Sequence, residues 1–301
     1  MPTIFHAPIS RKQFLQVSTG LLGAMTVGGF PRTSDANDSD KPDVFQLALL
    51  SDTHIPQNPA ETYRGFAPTE NLAKVVVGVR AWAPAGAIIN GDAARLAGYR
   101  EDYQQLQKLL VPLADSTPVY IGLGNHDDRK NFFEVFEKAD PSEISQKVNG
   151  KHVLVVEHPH VRTIVLDSLL YVDRTAGLLG KSQREWLARY LTEADSRPTV
   201  LFVHHSLGDG DGELLDVERL FRIVEPHKNV KAIFYGHSHR YRIERRGGLT
   251  LVNLPATGYN FGDSEPVGWI AAEFDPAGVN LTLHAVGGNQ ADHGKTSRVD
   301  W

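Results

Sequence analysis

Cysteine is absent from the 301-residue chain, and this absence excludes several kinds of site at once. Without cysteine the chain forms no disulfides, builds no cysteine-ligated zinc site and carries no lipid anchor on a lipobox cysteine. Any metal site must therefore use histidine nitrogens together with carboxylate or amide oxygens. The zinc-peptidase pattern H-E-x-x-H is missing as well, which excludes that class of hydrolase.

The chain also lacks an excess of basic charge. It has 31 Lys and Arg against 36 Asp and Glu, a formal net charge of -5. We therefore expect no broad positive surface and no nucleic-acid partner. Beyond the first 30 residues, no stretch approaches the length of an uncharged transmembrane helix. The length and the 41% hydrophobic content suit one large α/β domain or two small domains.

The first 30 residues have the order of charge and hydrophobicity that is typical of an export signal. The segment Ser10-Arg11-Lys12-Gln13-Phe14-Leu15-Gln16 opens a charge-free stretch over residues 14–30. It resembles a twin-arginine (Tat) signal with Lys12 in place of the second arginine. We expect a signal over residues 1–30, a polar linker over 31–43, export by the Tat machinery, and a periplasmic or extracellular location. The alternative is a disordered or buried helical N-terminus.

From residue 44 onward, short apolar runs alternate with helical patterns. Residues 44–50, 87–90 and 119–123 have the length of buried strands, and 69–82 and 101–111 have helical periodicity. The order strand, helix, strand, helix, strand predicts βαβ units and a mainly parallel sheet.

The second half of the chain is expected to form a second sheet. Helices are predicted over residues 131–138, 182–192 and 213–224, and strands over 151–157, 162–166, 199–203 and 230–235. The turn-rich remainder predicts an antiparallel ribbon that closes this sheet, over 241–243, 250–252, 267–274 and 279–285. We expect a single folded domain over residues 44–288 and a loosely held polar tail over 289–301.

Five predicted strands end in side chains that can bind a metal or move a proton. These segments are Asp52-Thr53-His54, Gly91-Asp92, Gly124-Asn125-His126-Asp127, His204-His205 and Gly236-His237-Ser238-His239. Because the carboxyl ends of parallel strands open onto one crevice, we expect the five segments to converge on one metal site.

The donor set suits two divalent transition metals. The candidate ligands are Asp52, His54, Asp92, Asn125, His204, His237 and His239. Two neighbouring cations also need a bridging group, and a carboxylate is the natural one because its charge offsets their repulsion. Nitrogen and oxygen donors without sulfur favour iron, manganese or zinc over calcium and magnesium.

The order of these motifs resembles that of the calcineurin-like metallophosphoesterase family: D-x-H, G-D, G-N-H-[D/E], a strand-end H, and G-H-x-H. The resemblance implies a four-layer α/β/β/α sandwich, with two mixed β-sheets flanked by helices. It also implies a metal-dependent hydrolase of small-molecule phosphate esters. Leu166-Asp167-Ser168 is similar to the branch that contains bacterial cyclic-nucleotide phosphodiesterases. The alternatives are therefore a 3',5'-cyclic-nucleotide phosphodiesterase and a non-catalytic metal-binding protein on the same scaffold.

The family resemblance also implies a role for each residue. One metal is held by Asp52, His54 and His239, the other by Asn125, His204 and His237, with Asp92 as the bridge. A hydroxide between the ions attacks phosphorus, and His126 serves as the general acid.

Three positions leave alternatives open. Arg95 stands where many relatives carry the aspartate that orients the catalytic histidine, so Asp127 is a candidate for that role and Arg95 for a contact with the phosphate. His204 matches the strand-end ligand better than His205, which would then lie behind the ligands or face the substrate.

Overall fold

A computed structural model describes residues 44–136 and 145–301. The predicted export signal over 1–30 and the linker over 31–43 lie outside the described residues. The last two residues of the helix predicted over 131–138 also lie outside them.

Thirteen strands and five helices follow one another in the described residues. The strands are β1 (Phe45–Leu50), β2 (Gly86–Asn90), β3 (Val119–Gly122), β4 (Ser145–Val148), β5 (Lys151–Glu157), β6 (Arg162–Leu166), β7 (Thr199–Val203), β8 (Val230–Tyr235), β9 (Arg242–Arg246), β10 (Leu249–Asn253), β11 (Pro266–Asp275), β12 (Gly278–Gly288) and β13 (Thr296–Asp300). The helices are α1 (Pro68–Trp82), α2 (Arg100–Ala114), α3 (Arg129–Phe136), α4 (Gly180–Glu193) and α5 (Val217–Val224). Within these ranges, no helix is both long and apolar enough to cross a membrane.

The strands form two mixed sheets. The first has the order β13-β12-β11-β1-β2-β3, and the second has the order β4-β5-β6-β7-β8-β10-β9. In the first sheet β1, β2 and β3 run parallel, whereas β11 is antiparallel to β1. In the second sheet β6, β7, β8 and β10 run parallel. The two mixed sheets of the predicted fold are confirmed.

Both faces of the central strands are buried. In β1, Leu47 and Leu49 face the layer between the two sheets, while Ala48 and Leu50 pack under helices α1 to α3. On the far side, the second sheet packs against α4 and α5. Strands covered on both faces have nearly continuous apolar sequences, which explains the short apolar runs. The layers follow the predicted order α/β/β/α.

The prediction for the C-terminal ribbon is wrong in one respect. Strands β9 and β10 do extend the second sheet, but β11 and β12 return to the first sheet, where β11 pairs with β1. Alternating hydrophobicity specifies which face of a strand is buried, but it does not specify the neighbouring strand. The ribbon was therefore predicted correctly, but the assignment of its last two strands to the second sheet was wrong.

The predicted loose tail is also corrected by the structure. Residues Thr296–Asp300 form β13, which pairs with β12 at the edge of the first sheet. Val299 is buried, and Trp301 packs against the apolar layer between the sheets. The strand has only one apolar side chain, so its sequence gives little sign of its backbone pairing.

Candidate metal centre and active site

The five motif segments meet at one edge of the sandwich, where the parallel strands of both sheets end. Two groups of side chains have potential ligand atoms within 4.8 Å of one another: Asp52, His54 and His239, and Asp92, His204 and His237. The amide oxygen of Asn125 lies 2.9 Å from Nδ1 of His237, beside the second group. The structure therefore brings all seven predicted ligands together.

Asp92 belongs to the second group and also faces the first. Its Oδ2 is 3.2 Å from Nε2 of His204 in the second group and 3.8 Å from Nε2 of His54 in the first. Its Oδ1 accepts a hydrogen bond from the backbone N–H of His126 at 2.8 Å. A carboxylate that bridges two metal ions must face the ligands of both, as Asp92 does.

The backbone that carries these side chains is strained. Eight non-glycine residues in the described ranges have positive φ, and five of them are candidate ligands with φ between 46° and 68°. The five are Asp52, His54, Asp92, His237 and His239. A left-handed conformation costs a non-glycine residue about 1–2 kcal/mol, so it persists only where the surroundings enforce it. Such clusters of strain are typical of functional sites.

Two glycines let the motif segments approach one another. A Cβ on Gly124 would lie 2.2 Å from Oδ1 of Asp92, and a Cβ on Gly91 would lie 2.7 Å from the ring of His204. Neither distance leaves room for a side chain. Glycine therefore precedes Asp92 and Asn125 because the ligand side chains occupy that space.

Main-chain carbonyls orient the four candidate ligand imidazoles. The pairs are His54 Nδ1 with Arg95 O at 3.3 Å, His204 Nδ1 with Asn90 O at 2.9 Å, His239 Nδ1 with Tyr259 O at 2.6 Å, and His237 Nε2 with Gly212 O at 3.0 Å. A carbonyl oxygen can only accept, so the ring nitrogen that faces it carries the proton. The opposite nitrogen then directs a lone pair into the site, as a metal ligand requires.

Several of these ring nitrogens face another hydrogen-bond acceptor rather than a donor. Nε2 of His54 lies 3.1 Å from Nε2 of His239, and Nδ1 of His237 lies 2.9 Å from the amide oxygen of Asn125. Nε2 of His204 is buried and has no hydrogen-bond partner of acceptable geometry in the described part of the chain. Acceptors that converge without a donor need a cation among them. The residues therefore fit a metal in each group.

The pKa shifts favour the ligand forms of these groups. Burial alone would raise the pKa of Asp92, but the charge of His204, whose Nε2 lies 3.2 Å from the Asp92 carboxylate, holds that pKa well below the usual range. Burial lowers the pKa of His54 to about 3 and that of His237 to about 4, so both rings are neutral near pH 7. Burial opposes protonation of His204, yet Asp92 and Asp52 raise its pKa to about 10. A bound cation would take the place of that proton.

His126 lies at the mouth of the site. Its ring is 5.4 Å from the ring of His54, centroid to centroid, and its Nδ1 lies 2.8 Å from the carbonyl oxygen of Leu96. The carboxylate of Asp173 is 3.4 Å from the same nitrogen. The loop that carries Asp173 is tied to the site by its N–H, which donates to Asn125 O at 2.7 Å. Asp173 belongs to no sequence motif, and the sequence analysis missed it.

The role considered for Asp127 is contradicted. Asp127 is fully buried, and its carboxylate accepts from the backbone N–H groups of Ala93, Ala94 and Gly124 and from the hydroxyl of Tyr103, at 2.8–3.2 Å. These donors occupy both oxygens, and Leu96 and Asp173 face the His126 ring instead. Asp127 therefore joins the loops that follow β2 and β3.

Arg95 does not line the cavity described below. Its Nε donates to Glu61 at 2.9 Å, and its guanidinium lies 4.4 Å from the ring centroid of Tyr63. The proposed phosphate contact is therefore wrong, because the side chain is held between an acid and an aromatic ring. The backbone carbonyl of Arg95, rather than its side chain, serves the site by facing His54.

His205 lies behind the ligands and does not face a substrate. It is fully buried, and its Nδ1 forms a 2.7 Å hydrogen bond with the hydroxyl of Ser168. Gly177 packs against the ring so closely that a Cβ there would lie 2.3 Å from it. Burial lowers the pKa of His205 well below its ordinary value. The structure thus places His204, and not His205, within the metal group.

A cavity of about 390 Å³ opens over the two groups. Its lining includes Thr175, Ser206, Gly212 and Glu213. The aromatic side chains of Tyr259 and Phe261 also line it. These two rings were missed as well, because a Gly-Tyr-Asn-Phe-Gly segment has no motif that distinguishes it from an ordinary turn.

A sequence model of the calcineurin-like phosphoesterases matches residues 45–241, which include all five motif segments. The chain belongs to this family. It is therefore a metallophosphoesterase. The family uses a dinuclear metal centre, and the two groups of side chains are the candidate ligands for such a centre here.

Relatives and solved structures agree with this calcineurin-like phosphoesterase assignment. A probable cyclic nucleotide phosphodiesterase of Synechococcus sp. is 29% identical over 78% of this chain and 89% of its own length. A glycerophosphodiester phosphodiesterase of Enterobacter lignolyticus is 29% identical over 70% of this chain and 77% of its own. A dimetal phosphatase from Danio rerio shares the fold, with a TM-score of 0.63, 14% identity, and coverage of 87% of this chain and all of that one.

Proposed function

We propose that this metallophosphoesterase hydrolyses small phosphate diesters in preference to monoesters. The observation that carries the proposal is the charge of the cavity wall. Among the described residues that line the cavity there is no Lys or Arg, and Glu213 adds a carboxylate. A phosphate monoester is close to a dianion at neutral pH, whereas a diester carries a single negative charge. A wall with this charge penalises the dianion more strongly.

The relatives support a diester substrate. The two described above are named for cyclic nucleotides and for glycerophosphodiesters, which are both phosphate diesters. Hydrolysis of 3',5'-cyclic nucleotides is the narrower form of the same proposal. His126 lines the cavity, where a general acid must lie, and this also supports catalysis rather than the non-catalytic alternative.

We propose the following roles for the site residues. Asp52, His54 and His239 hold one ion, Asn125, His204 and His237 hold the other, and Asp92 bridges them. The donor set favours iron, manganese or zinc. When bound, the ions activate water and stabilise the charge that develops on the phosphoryl oxygens. His126 donates a proton to the departing oxygen, and the Leu96 carbonyl and Asp173 hold its ring for that step.

Replacing Glu213 with Gln should weaken the preference for diesters. Its carboxylate borders the cavity and also accepts from the N–H of Gly210 at 3.2 Å, an acceptor role that Gln can keep. We expect kcat/KM for p-nitrophenyl phosphate to rise about three- to tenfold, because one like charge is removed from beside the dianion. For bis(p-nitrophenyl) phosphate the change should be less than about twofold. Steady-state kinetics on metal-loaded protein measures both values.

Glu218→Gln is the matched control for this prediction. Glu218 is exposed on α5 and is absent from the cavity wall, so its substitution should change neither rate. A wild-type protein that hydrolyses the monoester faster than the diester would contradict the proposed diesterase function. Metal-loaded protein that turns over neither ester would contradict it as well.

We further propose that the protein is exported to the periplasm or beyond by the Tat machinery. Only the order of charges and apolar residues in residues 1–30 supports this proposal. Changing Arg11 and Lys12 together to Gln removes both basic residues at the start of the predicted signal. The variant should accumulate in the cytoplasmic fraction of a Tat-competent bacterial host, measured by immunoblot of separated fractions. Identical fractionation of variant and wild type would count against export by this route.

A further inference from the structure

Three aromatic side chains flank the first metal group, and we call Tyr63, Tyr259 and Phe261 the aromatic ledge. Phe261 stacks on the ring of His239, with centroids 4.2 Å apart and planes 25° apart, yet the residue is 50% exposed. Tyr259 is buried between the other two, with its centroid 4.8 Å from Tyr63 and 5.8 Å from Phe261. Phe261 therefore combines contact with a candidate metal ligand and a large open surface.

A rigid turn supports the outer end of the ledge. The backbones of Tyr63 and Phe66 exchange hydrogen bonds at 2.8 and 2.9 Å, and Arg64 and Gly65 between them both have positive φ. This is the pattern of a two-residue type I' turn. The turn aims Arg64 at Phe261, with the guanidinium carbon 5.5 Å from the ring centroid and a 3.0 Å hydrogen bond to the Phe261 carbonyl. The ledge is thus preorganised.

The ledge and His126 lie at opposite ends of a row of ring contacts. His126 contacts His54 at 5.4 Å, His54 contacts His239 at 5.0 Å, and His239 contacts Phe261 at 4.2 Å, centroid to centroid. If His126 serves the leaving oxygen, the alcohol that stays on phosphorus extends from phosphorus in a different direction, and the ledge is the apolar surface at the other end of the row. Phe261 also borders a second depression of about 240 Å³, with Arg240, Ser264 and Glu265 on its wall, so there is room beyond the ring.

We propose that the aromatic ledge binds a planar aromatic group on the retained alcohol of the diester, with Phe261 as the specificity-determining residue. This proposal rests on the diesterase function proposed above. An aromatic ring placed on the exposed part of Phe261 gains stacking and buries apolar surface that is otherwise in water. The guanidinium of Arg64, 5.5 Å from the centroid of the Phe261 ring, adds a donor for a heteroatom of that group.

The test uses two diesters with the same leaving group, methyl p-nitrophenyl phosphate and phenyl p-nitrophenyl phosphate. In both, water adds to phosphorus and p-nitrophenolate departs, so only the retained group differs. The wild type should prefer the phenyl ester, mainly through a lower KM. Phe261→Leu keeps an apolar side chain but loses the ring, and should lower kcat/KM for the phenyl ester about three- to tenfold. The methyl ester should change less than about twofold, and Phe261→Trp should keep the preference.

Phe133→Leu is the control, because Phe133 is 38% exposed on α3 and lies away from the cavity. It should leave both rates unchanged. An equal loss of kcat/KM on both esters in Phe261→Leu, or a wild type without a preference for the phenyl ester, would contradict the proposed role of the ledge.

Calorimetric binding of phenylphosphonate and methylphosphonate to metal-loaded protein gives a readout that needs no turnover. The wild type should bind phenylphosphonate several-fold more tightly than methylphosphonate, and Phe261→Leu should bind the two equally. Equal binding by the wild type would reject the proposed role of the ledge. Failure to hydrolyse either diester, with the binding preference intact, would reject only the diesterase function.

Discussion

Asp92→Asn is expected to lose metal and activity together, and we expect the largest effect of any single substitution here. The carboxylate stands 3.2 Å from His204 and 3.8 Å from His54, so it contacts both metal groups. An amide in its place removes a negative charge and leaves two ions repelling one another across a neutral group. We expect a fall from about two metal ions per chain to one or fewer, and at least about a hundredfold loss of kcat. Elemental analysis of the purified protein and diester kinetics measure both.

Asp102→Asn is the control for this prediction. Asp102 is another buried carboxylate, but it accepts from the N–H groups of Gln57 and Tyr99 at the start of α2, outside both metal groups. The control should lower the free energy of unfolding and keep both ions. Full metal content in Asp92→Asn would show that Asp92 is not the bridge.

His126→Ala should separate proton transfer from metal binding. The ring belongs to neither metal group, and its Nδ1 is taken up by the Leu96 carbonyl and Asp173. We expect unchanged metal content and a loss of about 10²- to 10⁴-fold on diesters with alkyl leaving groups, which need a proton as they depart. For p-nitrophenyl esters, whose leaving anion is stable without a proton, the loss should be less than about tenfold. Rates on both kinds of ester, measured on one metal-loaded preparation, provide the comparison.

Asp173→Asn complements this experiment. This substitution removes the negative charge beside the His126 ring and keeps the Leu96 carbonyl. It should therefore lower the rate on diesters with alkyl leaving groups more than the rate on p-nitrophenyl esters, as His126→Ala does, but by only about three- to tenfold. A uniform loss across all leaving groups in His126→Ala would reject the acid role. Loss of metal in that variant would also reject it.

The sequence predicted the centre of the site because side chains that can bind a metal directly follow the predicted strands. A short apolar run followed by Asp92 or Asn125 specifies a buried parallel strand, and such strands present their carboxyl ends along one edge. The same reasoning placed His204, His237 and His239 after strands of the second sheet. The family resemblance that the motif order carries then implied the four layers, which the two sheets and the helices on their outer faces confirm.

The sequence analysis missed or misassigned residues whose role depends on backbone contacts or loop geometry. Asp127 was expected to orient His126, but its surroundings consist of N–H groups from loops whose approach no local pattern reveals. Asp173 and Phe261 reach the site from long connections, where neither periodicity nor turn chemistry marks a functional side chain. Likewise, β13 was missed because an edge strand with one buried side chain has no apolar alternation.

Each proposed metal group takes ligands from both sheets, and this has a consequence for the unfolded chain. His54 and His239 are 185 residues apart in sequence, and Asn125 and His237 are 112 apart. An ion held by such a pair closes a loop of that length, and in chain-entropy terms long loops gain the most from a cross-link. In a protein without cysteine, the two proposed ions would thus take the place of disulfides that join one half of the chain to the other.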